Sequence, residues 1–185
     1  SEMCIRDRLC HLAAQARGDF RILINAVLCR DKDLAPYFLP VDFSPGKAAM
    51  KNNVATGRRA REAMAEDIPV LIFPSGFVST AGKFGTGRAV DAPWTTFAAK
   101  LISDARANVV PICFHGQNSR AFHIASHLSE SLRMAFLIRE ARARFGTRFD
   151  VTIGDTLAYE SLEEIKGRKA LTHYLYDAVQ QLDEA

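Results

Sequence analysis

Hydroxyls, glycines and two cations crowd the stretch from Ser75 to Arg88, directly after the apolar run Val70–Phe73. Such side chains hydrogen-bond a polar headgroup, and Lys83 and Arg88 can neutralise a phosphate as point charges. A second polar stretch, His115-Gly-Gln-Asn-Ser-Arg120, leaves the apolar run Asn108–Phe114 in the same way. His115, at that exit, is placed to contact a ligand. It has no Asp close by in sequence, so it is not assigned as a general base.

Familiar catalytic spacings fit poorly. Gly76-Phe-Val-Ser-Thr-Ala-Gly82-Lys83 follows a strand as a phosphate-binding loop should. Its spacing is one residue too long, and Phe84 stands where a magnesium-binding hydroxyl is needed. Ser75 lies in Phe-Pro-Ser-Gly rather than in a nucleophile elbow, so it is expected to hydrogen-bond within its loop. His123 and His127 are four residues apart, but H-x-x-x-H without an internal Glu is a poor zinc signature. They read as helix-surface residues, and no metal site is expected.

The elements that must position these residues follow from apolar periodicity. Strands are expected at Phe20–Asn25, Tyr37–Asp42, Val70–Phe73, Asn108–Phe114 and Arg148–Gly154. Pro40 places the second near a sheet edge or at a strand end. A helix tail over Leu9–Ala16 is closed by Gly18. Ala48–Asp67 has helical spacing, with Ala49, Val54, Ala60, Ala63 and Met64 inward and Lys51, Arg58, Arg59 and Arg61 outward. Pro93-Trp94 is expected to open a helix running to Ala105, and Gly167–Leu182 to form a terminal amphipathic helix. Between 122 and 136 an apolar stripe accompanies Arg133, Arg139, Arg142, Arg144 and Arg148. That pattern fits a helix packed on a sheet with its arginines in water, and also a basic surface resting on anionic lipid. Strands alternating with helices give an α/β fold with a mostly parallel central sheet flanked by helices.

At 185 residues and 48% hydrophobic content, the chain can bury one sizeable core. A net charge of +3 is too small to argue for nucleic acid. The four cysteines are scattered, which suits reduced thiols in a cytoplasmic setting. Ser1-Glu-Met-Cys-Ile-Arg-Asp7 matches the translation of a transposase adapter used in sequencing libraries. Residues 1–8 are therefore expected to be a foreign scar, and residues 9–185 the domain proper.

Three ordered blocks resemble the glycerolipid (lysophospholipid) acyltransferase superfamily. Phe73-Pro-Ser-Gly-Phe-Val-Ser79 resembles its Phe-Pro-x-Gly block. Val109-Val-Pro-Ile-Cys-Phe-His-Gly-Gln-Asn-Ser-Arg120 resembles its Val-Pro strand block, continued by the G-x-N-S-R signature of a bacterial hemolysin-like subgroup similar to ornithine-lipid O-acyltransferases. Tyr37–Asp42 resembles its Phe-Ile/Leu-Pro-Val-Asp block. The resemblance spans Leu9 to about Leu157.

The resemblance implies transfer of a fatty acyl group from acyl-CoA or acyl carrier protein to a hydroxyl of a lysophospholipid or lyso-ornithine lipid. The acyl thioester is then a substrate and no cofactor is called for. The partners are the thioester donor, the lysolipid acceptor and the membrane surface, with the protein cytoplasmic and peripheral to the inner membrane. Phe73, Pro74, Ser75, Gly76, Phe77 and Ser79 would line the acceptor site, with Lys83, Asn118 and Arg120 ordering it or binding phosphate. In the family a His and a nearby Asp do the chemistry. That pair is absent here, because His11 has no carboxylate at the needed spacing, so the 185-residue chain is expected to be inactive. Ser75 and Phe77 also stand in a block where many members carry a Glu, which implies a more apolar acceptor contact. Two readings from other classes are a phosphate- or nucleotide-binding module built on the Gly76–Arg88 loop, and a non-catalytic lipid-surface binder.

Overall fold

The computed structural model describes residues 2–26, 29, 35–42, 44–75, 93–115 and 150–184. Helix α1 (Glu2–Arg17) leads into strand β1 (Arg21–Asn25). Gly18 ends the helix at φ 78°, where only glycine is unstrained, and its N–H donates to the Ala14 carbonyl at 2.9 Å. A 3-10 turn (Ala35–Tyr37) precedes β2 (Phe38–Val41). Helix α2 (Lys47–Ala65) and β3 (Val70–Leu71) complete the first layer.

These three strands form a parallel sheet in the order β2-β1-β3. Ile22 pairs with Phe38 on one side and Leu71 on the other, and Asn25 pairs with Val41. The α2 crossover therefore carries the chain over β1, as parallel strands require. Among the described strands β2 is an edge, as Pro40 predicts. The Phe38, Pro40 and Asp42 carbonyls accept from Arg59 Nη2 (3.4 Å), Thr56 Oγ1 (2.5 Å) and Asn53 Nδ2 (2.8 Å), all on α2. Backbone groups two residues apart point to the same side of a strand, so Pro40 turns its missing donor away from β1.

The buried face of α2 is made of small residues, Ala49, Thr56, Gly57, Ala60 and Ala63. Their size lets the helix sit close enough for Thr56 to reach Pro40. Val54, expected inward, is 67% exposed, because two residues before Thr56 a helix presents nearly its opposite face.

Helix α3 (Phe97–Ala105) buries two faces. Leu101 joins Leu23, Leu39 and Ala60 under the sheet, while Ala99 and Ile102 join Tyr159, Leu162, Leu171 and Leu175. The helix begins four residues after Pro93, later than expected. The Thr95 N–H and hydroxyl both donate to the Pro74 carbonyl, at 3.1 and 3.3 Å, which holds the preceding residues in a tertiary contact.

Strands β4 (Ile112–Phe114) and β5 (Val151–Ile153) pair antiparallel, separately from the three-stranded sheet among the described residues. Helices α4 (Tyr159–Glu163) and α5 (Arg168–Glu184) follow. The expected strand Asn108–Phe114 is interrupted. Ile112 pairs with Ile153, but Val109 bridges Leu157, so Val110 and Pro111 face three residues, Gly154 to Thr156. One extra residue opposite a proline that cannot donate is the arrangement of a β-bulge. α4 was not anticipated from the sequence. The apolar stripe between 122 and 136 and its arginines lie outside the described residues, as do His123 and His127.

Candidate functional site

Because β1, β2 and β3 are parallel and in register, their carboxyl ends meet at one edge of the sheet. Asn25 ends β1, Asp42 follows β2, and Ile72-Phe73-Pro74-Ser75 follows β3. Loops at such an edge are where open α/β sheets bind ligands. The sequence-predicted Phe73, Pro74 and Ser75 stand here. Ser75 is buried at 7% exposure, and Pro74 is tied to the start of α3 through Thr95. Gly76, Phe77, Ser79, Lys83, Arg88, Asn118 and Arg120 lie outside the described residues.

The edge is braced from α2. The Asp42 N–H donates to Asn53 Oδ1 at 2.8 Å while Asn53 Nδ2 returns a bond to the Asp42 carbonyl, so one amide clamps both backbone groups of the residue leaving β2. The Asp42 carboxylate accepts from the Ser44 N–H at 2.9 Å. That bond, followed by the Ser44 hydroxyl, holds its pKa below the ordinary aspartate range. Asp42 thus shapes the turn into α2 as a carboxylate already engaged by backbone.

His115 lies just past β4, and the fold gives it an acidic partner that close spacing in the sequence does not. Its Nδ1 is 3.2 Å from Asp183 Oδ1 in the last turn of α5, and its Nε2 is 2.6 Å from Thr152 Oγ1 on β5. The carboxylate comes from 68 residues away, beyond any local spacing rule. Both ring nitrogens are engaged, so neither faces outward to accept a proton from an acceptor hydroxyl.

The molecule is thus an α/β protein whose parallel strands bring Asn25, Asp42 and the buried Ser75 towards one edge. The chain belongs to the acyltransferase family, which it matches over residues 3–172. It is 25% identical over 185 residues to a lyso-glycine lipid O-acyltransferase of Phocaeicola vulgatus, an alignment covering 92% of this chain and 61% of that protein. It is also 26% identical over 179 residues to a lyso-glycine lipid O-acyltransferase of Bacteroides thetaiotaomicron, covering 89% of this chain and 60% of that one. The chain therefore spans about three-fifths of the length of these curated relatives. No solved structure matches it.

Proposed function

We propose that this protein is an O-acyltransferase that moves a fatty acyl group from acyl-CoA or acyl carrier protein to a hydroxyl of a lysolipid. The family match across most of the chain carries this reading. The names of the two relatives favour an acceptor with an amino-acid headgroup, of the lyso-ornithine or lyso-glycine kind, over a lysophospholipid. In the reaction the acceptor oxygen attacks the thioester carbonyl carbon and its proton passes to a base. The carbon–sulfur bond then breaks and the thiol departs protonated. Phe73, Pro74 and Ser75, with Gly76, Phe77 and Ser79 beyond them, line the acceptor site. Lys83, Asn118 and Arg120 order it or meet an anionic group.

No helix among the described residues is long and apolar enough to cross a membrane. We take the protein to work at the cytoplasmic face of the inner membrane, where its acceptor resides. The test is product formation. The full-length gene product and the 185-residue chain are each incubated with acyl-CoA or acyl carrier protein thioesters and a panel of lysolipids, and O-acylated lipid is read by mass spectrometry. The full-length protein is expected to acylate a lyso-amino-acid lipid, and the chain alone to give no product. A full-length protein that acylates no lysolipid overturns the assignment. Turnover by the 185-residue chain overturns the expectation that it is inactive for want of a His/Asp pair.

A further inference from the structure

We propose that Cys113, His115 and Asp183 form a binding site for a single zinc-type cation that pins the last turn of α5 to β4. One donor atom from each of the three residues lies within 4.8 Å of the other two. Donors bound to tetrahedral zinc stand roughly 3.3–3.8 Å apart, as follows from bonds of about 2.0–2.3 Å. The His115 Nδ1 to Asp183 Oδ1 separation is already 3.2 Å. The Cys113 sulfur lies no more than 4.8 Å from a donor atom of each of these two residues.

The backbone explains why these residues meet. Cys113 and His115 are two residues apart along one extended segment, so their side chains leave the same face. Thr152 pairs directly with Cys113 across the ladder and presents its hydroxyl to that face. Asp183 reaches it from α5. His115 and Asp183 are each 30% exposed, so a fourth position remains open to water.

Thr152 supplies the orienting contact that metal-binding imidazoles usually have. When Nε2–H donates to Thr152 Oγ1 at 2.6 Å, the Nδ1 lone pair faces the carboxylate oxygen of Asp183. Two acceptors at that distance repel unless a cation lies between them. A thiolate, an imidazole and a carboxylate together suit zinc over magnesium or calcium, which take oxygen ligands. The test of this site reads metal binding and does not depend on acyl transfer.

The test is metal titration of the chelator-stripped 185-residue chain. Cobalt(II) is expected to bind one per chain, giving the visible absorption of a tetrahedral ion and a thiolate-to-cobalt charge-transfer band. Zinc should bleach both and raise the melting temperature. Cys113→Ser should abolish the charge-transfer band although the other cysteines remain. Asp183→Asn, a conservative change at a half-exposed position, should weaken binding at least about tenfold, and Thr152→Val by about tenfold through the outer contact. Each variant is first checked for native circular dichroism. Absence of saturable one-to-one binding, or an unchanged band in Cys113→Ser, overturns the site. The cluster is then a metal-free clamp in which Nδ1–H donates to Asp183.

Discussion

The parallel layer of β1–β3 and the antiparallel pair β4–β5 each carry a covering helix, but they attach it by different means. In the parallel layer, α2 is tied to the strand just before it by side chains reaching backbone, across sequence separations of 11 to 21 residues. In the antiparallel half, attachment runs between distant residues. His115 reaches Asp183 across 68 positions, and the Tyr159 N–H donates to Asn108 Oδ1 across 51. The α2 contacts join segments that follow one another in the chain. The antiparallel half is held by contacts that exist only once the chain has closed on itself. α3 belongs to both, with Leu101 in one apolar cluster and Ala99 and Ile102 in the other.

The sharpest way to break this contrast is to hollow each core in turn. Leu39 and Leu162 are each 1% exposed, one in each cluster. Leu39→Ala and Leu162→Ala should each cost roughly 2–5 kcal/mol, from lost transfer energy and the cavity left behind. Because α3 is shared, both variants are expected to unfold in one denaturant transition with similar slopes. Two separate transitions would show that the halves are independent units.

A steric probe comes next. A Cβ on Gly154 would lie 3.0 Å from Pro111 Cγ and 3.1 Å from Leu182 Cδ2. Gly154→Ala should therefore destabilise by about 1–3 kcal/mol, the usual cost of overpacking, by wedging α5 from the bulge. Hydrogen exchange should rise more in α5 than in α2. Equal protection loss in both helices would erase the distinction between the halves.

The smallest effect concerns the seam between α2 and α3. Asp104 meets Lys100 on its own helix and Arg61 Nη1 of α2 at 3.4 Å. The Lys100 hydrogen bond first, then the nearby positive charges, hold its pKa below the ordinary aspartate range against a desolvation effect of opposite sign. A depressed folded-state value adds stability above the unfolded aspartate pKa and loses it as pH falls through the folded one. Asp104→Asn should remove that acid-side dependence. The loss at neutral pH should stay below about 1 kcal/mol, because solvent and salt screen so exposed a pair. A variant whose acid-unfolding curve overlays the parent would show that the pair does not couple the helices.

The sequence made the parallel layer readable for physical reasons. β1 and β2 are apolar runs bounded by turn residues, and Pro40 marked an edge because only there is its missing N–H harmless. Gly18 marked a helix end because of its left-handed turn. The antiparallel half was less legible. The late start of α3 does not follow from local preference, since the residues before it are held by Pro74, and local pattern does not show that the bulge at Gly154 packs against Leu182 of α5. Asp183 could not be matched to His115 by spacing, although a polar residue one turn from the end of an amphipathic helix was a hint. At the candidate acceptor edge, the Phe-Pro-Ser block was visible as an abrupt end to a β-forming run. The clamp by Asn53 was missed because an asparagine inside a helix looks like surface.

The row of α2 donors along β2 has one more consequence. An exposed strand edge invites a strand from another molecule to dock on it. Here Arg59, Thr56 and Asn53 already occupy the acceptors such an intruder would use. The helix thus shields the sheet from self-association on that side. Stripping those three side chains together should open that edge to a strand from another copy, read as a rise in assembly size by light scattering.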